Sequence, residues 1–366
     1  MISLYLHIPF CRHKCNYCSF YSLTDFDKSE YIDAIIRCVQ YFGKNSGENP
    51  LISDCRADTV YIGGGTPSVL PPKLIYRLFD AVYRNFEIEK NAEITVEANP
   101  ESCDREFLSA VKDAGVNRLS LGVQSLDDGQ LRAAGRIHTS AQAVEAVKLA
   151  RNTGFDNISC DLIFGLPGQT EKSFENSLKI LTGLDIEHIS CYNLQVERGT
   201  PLERSGVSVP GEQTQEKMYF LACEFLAERG YVHYEISNYA KRGLESRHNS
   251  AYWTGKDYLG IGPAAHSKLG DMRCSFLPDT GRFCARRSFE FDRCERIDDP
   301  LFEKIMLSLR TKNGLDTALL KNSEKFISRL KDSGYAVVAH DGILRLTDRG
   351  FYLSNSIIAE LAAREC

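Results

Sequence analysis

The sequence lacks any long apolar run, and none of its 366 residues lies in a stretch approaching the ~20 apolar residues of a membrane-spanning helix. It also lacks an excess of positive charge, because its formal net charge is −5, so the chain as a whole has no nucleic-acid signature. Its first residues, "MISLYLHIPF", lack the cationic start and the small-residue cleavage site of a secretory leader. These absences predict a cytoplasmic protein.

Cysteine, in contrast, is abundant, with 13 residues. In a cytoplasmic chain cysteines are expected as thiols or metal ligands rather than disulfides, and the odd number also argues against full pairing. Cys274, Cys284 and Cys294 follow one another at even steps of ten residues. Such steps exceed the usual spacing of metal ligands, which favours scattered thiols over a second metal cluster.

Three cysteines stand close together in the stretch "HIPFCRHKCNYCSF", residues 7–20, with the spacing C-x3-C-x2-C. Structural zinc sites and simple electron-transfer iron–sulfur clusters are held by four ligands. Cys11, Cys15 and Cys18 supply three, and the next cysteine is Cys38, within a predicted helix. We therefore predict a metal cluster with one corner left open for another ligand.

Short β-branched runs alternate with amphipathic helix patterns along the first 230 residues. The runs cover residues 3–8, 58–64, 93–99, 117–124, 157–165 and 188–196. Strand–helix units in series imply right-handed parallel crossovers, which fit either an open doubly wound sheet or a (β/α) barrel. Because six units are found rather than eight, we predict an α/β fold with a partial, TIM-like (β/α)6 barrel that ends near residue 230.

Polar and glycine residues gather where these predicted strands end. The cysteine loop follows the first strand, and "GGGTP", residues 63–67, follows the second. Glu97 and Gln124 end the third and fourth strands, and Asp161 lies in the fifth. Parallel strands are buried on both faces, so each polar side chain needs a partner or a ligand. We expect the chemistry at the carboxyl ends of the strands, where α/β folds place it.

The remaining sequence divides into two parts. Residues 231–296 are rich in aromatic residues, and residues 241–296 hold 11 basic against 7 acidic side chains. Residues 297–366 show a helix–helix–hairpin–helix pattern with Asp341-Gly342 as the hairpin turn. We therefore predict a barrel over 1–230, a connecting segment over 231–296, and a mixed α+β, winged-helix-like domain over 297–366.

The cysteine spacing resembles the signature of radical S-adenosylmethionine enzymes. The resemblance implies that Cys11, Cys15 and Cys18 hold a [4Fe–4S] cluster. In that family the fourth iron takes the amino and carboxylate groups of S-adenosylmethionine. An electron from the cluster then cleaves a carbon–sulfur bond to give a 5′-deoxyadenosyl radical. The resemblance thus supplies the missing fourth ligand.

Further segments narrow this resemblance to the branch that contains the coproporphyrinogen dehydrogenases and the HemW-type heme chaperones. They occur in the same order through nearly the whole chain: "GGGTPS", "EANPE", "LSLGVQS", "GRIH", "DLIFGLPGQT", "YEISNYA", "HNSAYW" and "LGIGPAAHS". The resemblance implies the following S-adenosylmethionine contacts: Tyr5, Tyr17, Gly64, Gly65, Thr66, Glu97, Gln124, Arg136 and Asp161. It assigns no catalytic side chain.

Within the branch, two absences favour the chaperones. The dehydrogenases carry a further cysteine two residues after the third, where this chain has Phe20, and an N-terminal extension that is not present before Cys11. The H-N-x-x-Y-W motif of the chaperones is found at residues 248–253, which implies His248 as the heme ligand. Tyr252 and Trp253 could stack on a porphyrin face. The chain departs from the family at Ser19, often Asp, and at Ser246, often Cys.

The resemblance therefore implies heme binding and delivery to acceptor proteins, including acceptors at the membrane. An electron donor is a further expected partner, and no nucleic acid is expected. Two alternatives stay open. The first is an oxygen-independent coproporphyrinogen III dehydrogenase that decarboxylates two propionates through the radical. The second is a nucleic-acid-associated protein that uses the C-terminal module, although its last helix has three acidic and two basic residues.

Overall fold

The computed structural model describes residues 1–43, 52 and 54–365. Its centre is a set of six parallel strands that pair in the order of the chain. They are β1 (Ile2–Ile8), β2 (Arg56–Gly64), β3 (Glu87–Ala98), β4 (Arg118–Gln124), β5 (Ile158–Phe164) and β6 (His188–Asn193). The six predicted strands are all found, although β3 begins six residues earlier than predicted and β6 ends three residues earlier.

Helices follow the parallel strands and cover the outside of the sheet. They are α1 (Lys28–Phe42), α2 (Pro72–Asn85), α3 (Arg105–Asp113), α4 (Asp128–Ala133), α5 (Ser140–Asn152), α6 (Glu171–Thr182), α7 (Pro201–Ser205) and α8 (Glu212–Ala227). Their starts are encoded locally: Asp104 caps α3, and Thr170 begins a reciprocal capping box with Ser173 at α6. Short 3-10 turns lie at Pro67–Val69, Pro100–Ser102 and Thr317–Leu319.

The aromatic-rich segment extends the same sheet at both edges. Its elements are β7 (Tyr231–Glu235), β8 (Asn238–Lys241), α9 (Arg247–Trp253), β9 (Tyr258–Ile261), β10 (His266–Leu269), β11 (Met272–Ser275), α10 (Thr280–Cys284) and β12 (Arg293–Arg296). Strand β8 pairs antiparallel with β6, and β9 pairs parallel with β1. The result is one twelve-stranded sheet in the order β12-β11-β10-β9-β1-β2-β3-β4-β5-β6-β8-β7.

The C-terminal residues form a small α+β module. Its elements are α11 (Pro300–Ser308), β13 (Leu315–Asp316), α12 (Glu324–Asp332), β14 (Ala336–Val338), β15 (Ile343–Leu346), α13 (Asp348–Tyr352) and α14 (Ser354–Glu365). Strands β13, β15 and β14 make an antiparallel sheet. The chain thus has an α/β fold, a partial (β/α)6 barrel followed by a C-terminal α+β module. Within the described residues, no helix is long and apolar enough to cross a membrane.

One cysteine prediction is wrong. Cys274 and Cys294, expected as free thiols, form a disulfide. The reason is the register of the β11–β12 pair, which sets the two residues directly opposite each other with their Cα atoms 4.1 Å apart. The spacing along the chain does not reveal this register. Cys284 lies in α10 and is a buried free thiol, as predicted.

A polar contact ties the C-terminal module to the main sheet. Asp348, at the start of α13, has its carboxylate 2.9 Å from His233 Nδ1 on β7 and accepts a 2.9 Å hydrogen bond from Lys312 Nζ. Tyr219 of α8 donates its hydroxyl to the Asp348 carbonyl at 3.0 Å. The hydrogen bond from His233, followed by that from Lys312, holds the pKa of Asp348 well below its ordinary value.

We predict that Asp348→Asn lowers the free energy of unfolding by about 1–2 kcal/mol at pH 7. Hydrogen bonds to charged groups contribute somewhat more than this, and the figure is discounted because 41% of the Asp348 side chain is exposed. Because the pKa is depressed, the contribution is present above the ordinary carboxyl pKa of 3.8 and is lost as the pH falls below it. Urea unfolding of both proteins at pH 7 and pH 3 measures this.

The matched control is Asp341→Asn, which removes an exposed ion pair with Arg345 in the same module. We expect it to change stability less than Asp348→Asn. An equal effect of the two variants, or a difference from wild type that is the same at both pH values, would contradict the assigned role of Asp348.

Candidate functional site

A cavity of about 440 Å³ opens at the carboxyl ends of the parallel strands. It is lined by eleven residues that the sequence predicts for the site: Cys11, Cys15, Tyr17, Cys18, Gly64, Gly65, Thr66, Glu97, Gln124, Arg136 and Asp161. The same wall includes Asn99, Tyr192 and Asn193, which the sequence did not single out. The structure therefore brings together every predicted site residue except Tyr5 and His248.

The cysteine loop is fixed to its surroundings by backbone and side-chain hydrogen bonds. Cys11 N donates to Leu23 O at 2.9 Å, and Asn16 N donates to Ala134 O at 2.9 Å. The Thr66 hydroxyl donates to Cys11 Sγ at 3.3 Å, and the Arg136 guanidinium lies 3.5 Å from Cys15 Sγ. A hydroxyl donor and a nearby cation both favour thiolates, the form that binds metal.

Burial opposes the deprotonation of two of the three cysteines. Burial is the largest effect at Cys11 and Cys18, and it raises the pKa of both thiols. Metal ligation requires the thiolate and releases the proton. We therefore expect iron binding to supply the free energy that holds these side chains as thiolates.

The glycine loop after β2 has no room for side chains. Gly64 has a φ of +109°, and a Cβ atom there would lie 2.3 Å from His7 Nδ1. A Cβ at Gly65 would lie 2.7 Å from the carbonyl oxygen of Ile8, to which Gly65 N donates a 2.8 Å hydrogen bond. Only glycine fits at both positions, which lets the loop backbone form part of the cavity wall.

Glu97 places a carboxylate in the wall and is held at both oxygens. Tyr61 OH donates to Oε1 at 2.7 Å, and Gly64 N donates to Oε2 at 3.0 Å. Burial raises the pKa of Glu97 to about 7, and the two hydrogen bonds oppose that rise. A positively charged ligand group beside this carboxylate would favour its ionised form. The position suits a carboxylate that recognises a cation.

Asn99 connects two parts of the site that the sequence treats as separate. Its Nδ2 donates to Thr66 Oγ1 at 2.9 Å, and its Oδ1 accepts from Arg136 Nη2 at 2.7 Å. Thr66 and Arg136 in turn contact Cys11 and Cys15. Asn99 lies in the "EANPE" segment, directly after β3. The argument that identified Glu97, a polar residue at a strand end, applies equally to it.

Gln124, Asp161 and Asn193 show that the wall is prepared for a polar ligand. Gln124 has a φ of +65°, which is unusual for a residue other than glycine and typical of functional sites. Burial raises the pKa of Asp161. Asn193 Oδ1 is buried without a hydrogen-bond partner, although buried polar atoms in folded proteins are almost always satisfied. A bound ligand would satisfy it.

Tyr5 lies behind the cavity rather than in its wall. Its hydroxyl is 3.0 Å from His7 Nδ1, and its ring centroid is 6.2 Å from that of Tyr61. A Cβ atom at Gly64 would approach the Tyr5 hydroxyl to 3.0 Å. Tyr5 therefore packs against the glycine loop, and its contact with S-adenosylmethionine stays a prediction.

His248 also lies outside the wall of the cavity. His248 is 1% exposed and lies beside the middle of β2, where its Nδ1 is 2.8 Å from Thr59 Oγ1 and its Nε2 is 2.9 Å from Tyr252 OH. Burial lowers the pKa of His248 to about 3. Both ring nitrogens are already engaged, so neither is free for iron in this arrangement. Ser246 caps the helix that carries it by accepting from Asn249 N.

Trp253, the last residue of the same motif, lines a second cavity of about 600 Å³. The apolar wall of this cavity includes Ile297 and Leu307. Its charged lining residues are two lysines, Lys268 and Lys304, and three acidic residues, Asp271, Glu303 and Asp316. A flat aromatic ring beside aliphatic side chains suits a planar, largely apolar ligand. The predicted heme motif is therefore split, with Trp253 at a cavity and His248 in the interior.

The first cavity fits a cluster with an open corner. Cys11, Cys15 and Cys18 are the only cysteines among its lining residues. Three thiolates leave one iron of a [4Fe–4S] cluster without a protein ligand. Glu97, Asp161 and the unsatisfied Asn193 Oδ1 provide acceptors in the same cavity wall. The donor set thus fits both the cluster and S-adenosylmethionine.

Comparisons with known proteins agree with this geometry. The sequence profile of the radical SAM superfamily matches residues 5–181. The chain is 34% identical to the heme chaperone HemW of Bacillus subtilis (strain 168), over 98% of each chain. It is 32% identical to HemW of Mycobacterium tuberculosis (strain ATCC 25618 / H37Rv), over 98% of this chain and 94% of the relative.

A solved structure shows the same fold. The radical SAM enzyme coproporphyrinogen III oxidase (HemN) from Escherichia coli superposes with a TM-score of 0.83, over 98% of this chain and 89% of that chain. The two sequences are 23% identical, so this likeness concerns the architecture alone. It confirms the predicted fold class.

We predict that Glu97→Gln changes how the stability of the ligand-free protein depends on pH. Because burial raises the pKa of Glu97 from 4.5 to about 7, its favourable contribution is complete below pH 4.5 and is lost as the pH rises through 7. Glutamine does not titrate. Between pH 5 and pH 8, the free energy of unfolding of the wild type should therefore fall by about 2 kcal/mol more than that of Glu97→Gln.

Urea unfolding of the ligand-free proteins at the two pH values tests this. Glu106→Gln, which changes an exposed glutamate of α3, serves as the matched control and should follow wild type. If the free energy of unfolding changed equally with pH in wild type and Glu97→Gln, Glu97 would not be desolvated in solution.

Proposed function

The chain belongs to the HemW family within the radical SAM superfamily, and from this membership we propose that it is a heme chaperone, which binds heme and delivers it to acceptor proteins. The observation that carries the proposal is the 34% identity to the Bacillus subtilis chaperone over 98% of both chains. A relationship that spans the whole length includes the C-terminal module as well as the cluster loop. The proposal therefore applies to the complete arrangement of cavities described above.

In this proposal Cys11, Cys15 and Cys18 hold a [4Fe–4S] cluster, and the remaining wall of the first cavity holds S-adenosylmethionine. When bound, these groups supply one-electron and radical chemistry. The protein side chains hold and orient them: Thr66 and Arg136 donate toward the sulfurs, and Glu97 accepts from a cationic part of the ligand. We assign no side chain a catalytic role.

Heme, in this proposal, uses the second cavity. Trp253 lines it, the aliphatic wall can contact the porphyrin, and Lys304 can meet a propionate. Lys268 Nζ already donates to Gly255 O and Gly270 O. His248 as the iron ligand stays a prediction from family resemblance, and its two hydrogen bonds to Thr59 and Tyr252 stand against it. Heme binding without His248 and heme binding through it are distinguishable by mutation.

The wider organisation is also part of the proposal. We propose a barrel over residues 1–230, a connecting segment over 231–296 and a C-terminal domain over 297–366. The protein would act in the cytoplasm with an electron donor and with heme acceptors that include membrane proteins. Nucleic acid is not expected as a partner.

The rival function is coproporphyrinogen III decarboxylation, which the shared fold and the retained cavity favour. Phe20 stands against it, because this chain has no fourth cysteine at that position of the loop. An anaerobic assay with reconstituted protein separates the two. Conversion of coproporphyrinogen III to protoporphyrinogen IX at enzyme-like turnover would overturn the chaperone proposal.

We predict that replacing Cys11, Cys15 or Cys18 with serine abolishes the iron–sulfur cluster. Each loss leaves two thiolates for a cluster that needs three protein ligands. Iron and sulfide content and visible absorption after anaerobic reconstitution measure this. Cys103→Ser, at a buried cysteine outside the cavity, is the matched control and should retain the cluster. Full cluster content in any of the three loop variants would contradict the assignment.

We predict that Trp253→Leu weakens heme binding about tenfold, because it removes an aromatic surface worth ~1.4 kcal/mol or more to a porphyrin. Titration of heme under anaerobic conditions, followed at the Soret band, measures the affinity. Tyr76→Leu, which removes an exposed aromatic from α2, is the control. Equal heme affinity in Trp253→Leu and wild type would remove the second cavity from the proposal.

A further inference from the structure

A short series of buried contacts joins His248 to the wall of the first cavity. The His248 ring stacks on the Tyr61 ring, with centroids 4.9 Å apart and an angle of 27° between the planes. Tyr61 OH donates to Glu97 Oε1 at 2.7 Å, and Glu97 lines the cavity. Only Tyr61 therefore lies between the imidazole and a carboxylate that faces the ligand.

The position of the His248 ring is itself closely fixed. Thr59 and Tyr252 bind its two nitrogens at 2.8 and 2.9 Å. Its backbone nitrogen donates to Glu93 Oε1 at 2.9 Å, so the first turn of α9 is anchored on β3. These contacts leave the ring little freedom. A fixed ring can in turn restrict the ring against which it stacks.

Strand β3 completes the connection. Glu93 and Glu97 are four residues apart on this strand, so both side chains point to the same face of the sheet. Glu93 binds the start of α9, and Glu97 is held by Tyr61 and by Gly64 N. Helix α9 thus contacts two neighbouring strands that each contribute residues to the cavity wall, β2 through Tyr61 and β3 through Glu93.

We propose that His248 is a positioning residue for the S-adenosylmethionine cavity: it fixes the Tyr61 ring, whose hydroxyl orients the Glu97 carboxylate toward the cationic ligand. This inference rests on the proposed function, because it requires S-adenosylmethionine in that cavity. It gives the first residue of the H-N-x-x-Y-W motif a role that does not involve iron. It also explains why both imidazole nitrogens are engaged with protein hydroxyls.

Tyr61→Phe is the sharpest test, because it removes one oxygen atom and retains the stacked ring. A hydrogen bond to a charged group contributes at least the free energy that corresponds to a tenfold change in affinity. We therefore expect the variant to bind S-adenosylmethionine about tenfold more weakly. His248→Ala should show a similar loss, and His248→Phe, which restores a flat ring against Tyr61, should recover most of it. Tyr231→Phe removes a buried hydroxyl that donates to Ile186 O, away from both cavities, and should bind as wild type does.

The measurements use the full chain with its reconstituted cluster. Calorimetric titration gives the affinity for S-adenosylmethionine. The electron paramagnetic resonance spectrum of the reduced cluster, with and without S-adenosylmethionine, reports whether the ligand reaches the iron. In Tyr61→Phe and His248→Ala the ligand-induced change should be reduced, while cluster content and heme affinity stay within about twofold of wild type. A merely structural role would not separate these quantities.

The outcomes are distinct. Unchanged affinity and spectrum in Tyr61→Phe and His248→Ala, with a wild type that binds S-adenosylmethionine, would overturn the positioning role alone. Loss of heme binding in His248→Ala, with S-adenosylmethionine binding intact, would overturn it in favour of a heme ligand. A wild type that binds no S-adenosylmethionine would overturn the cofactor assignment and this inference with it. If His248→Ala fails to fold, Tyr61→Phe decides.

Discussion

Parallel hydrogen bonding among six consecutive strands is the constraint on which the rest of the structure depends. Because β1 to β6 run in one direction, every following loop emerges at the same edge of the sheet. Side chains far apart in sequence, from Cys11 to Asn193, therefore line one cavity. The same pairing buries both faces of the strands, so a polar side chain such as Glu97 or Asp161 must find a partner inside.

Much of this architecture is predictable because its signals are local. Strand β1 follows from its short, largely apolar run, and the starts of α3 and α6 follow from their capping side chains. The cavity wall was predictable in outline once six parallel strand–helix units were recognised. The carboxyl ends of parallel strands lie at one edge of the sheet, so the residues that follow the strands come close together. Asn99 was not among the predicted residues, although it is a polar residue directly after a parallel strand and meets the same criterion as Glu97.

The features that the sequence did not predict depend on contacts between distant segments. The Cys274–Cys294 bond requires the register of β11 and β12, which nothing near either cysteine specifies. His248 was predicted at a ligand surface, but α9 is short and its surroundings come from β2 and β3. Ser246 becomes understandable in this setting: it caps α9 with its hydroxyl, a better acceptor than a thiol.

Helix α9 has a thermodynamic consequence. Its first turn contacts the wall of one cavity through Tyr61, and Trp253 at its end lines the other. This helix of seven residues therefore lies between the two cavities. Thermodynamic linkage is reciprocal. If a ligand in one cavity changes the protein's affinity for a ligand in the other by some factor, the second ligand changes the affinity for the first by the same factor. If heme and S-adenosylmethionine occupy the two cavities as proposed, any effect of one on the affinity for the other is therefore mutual.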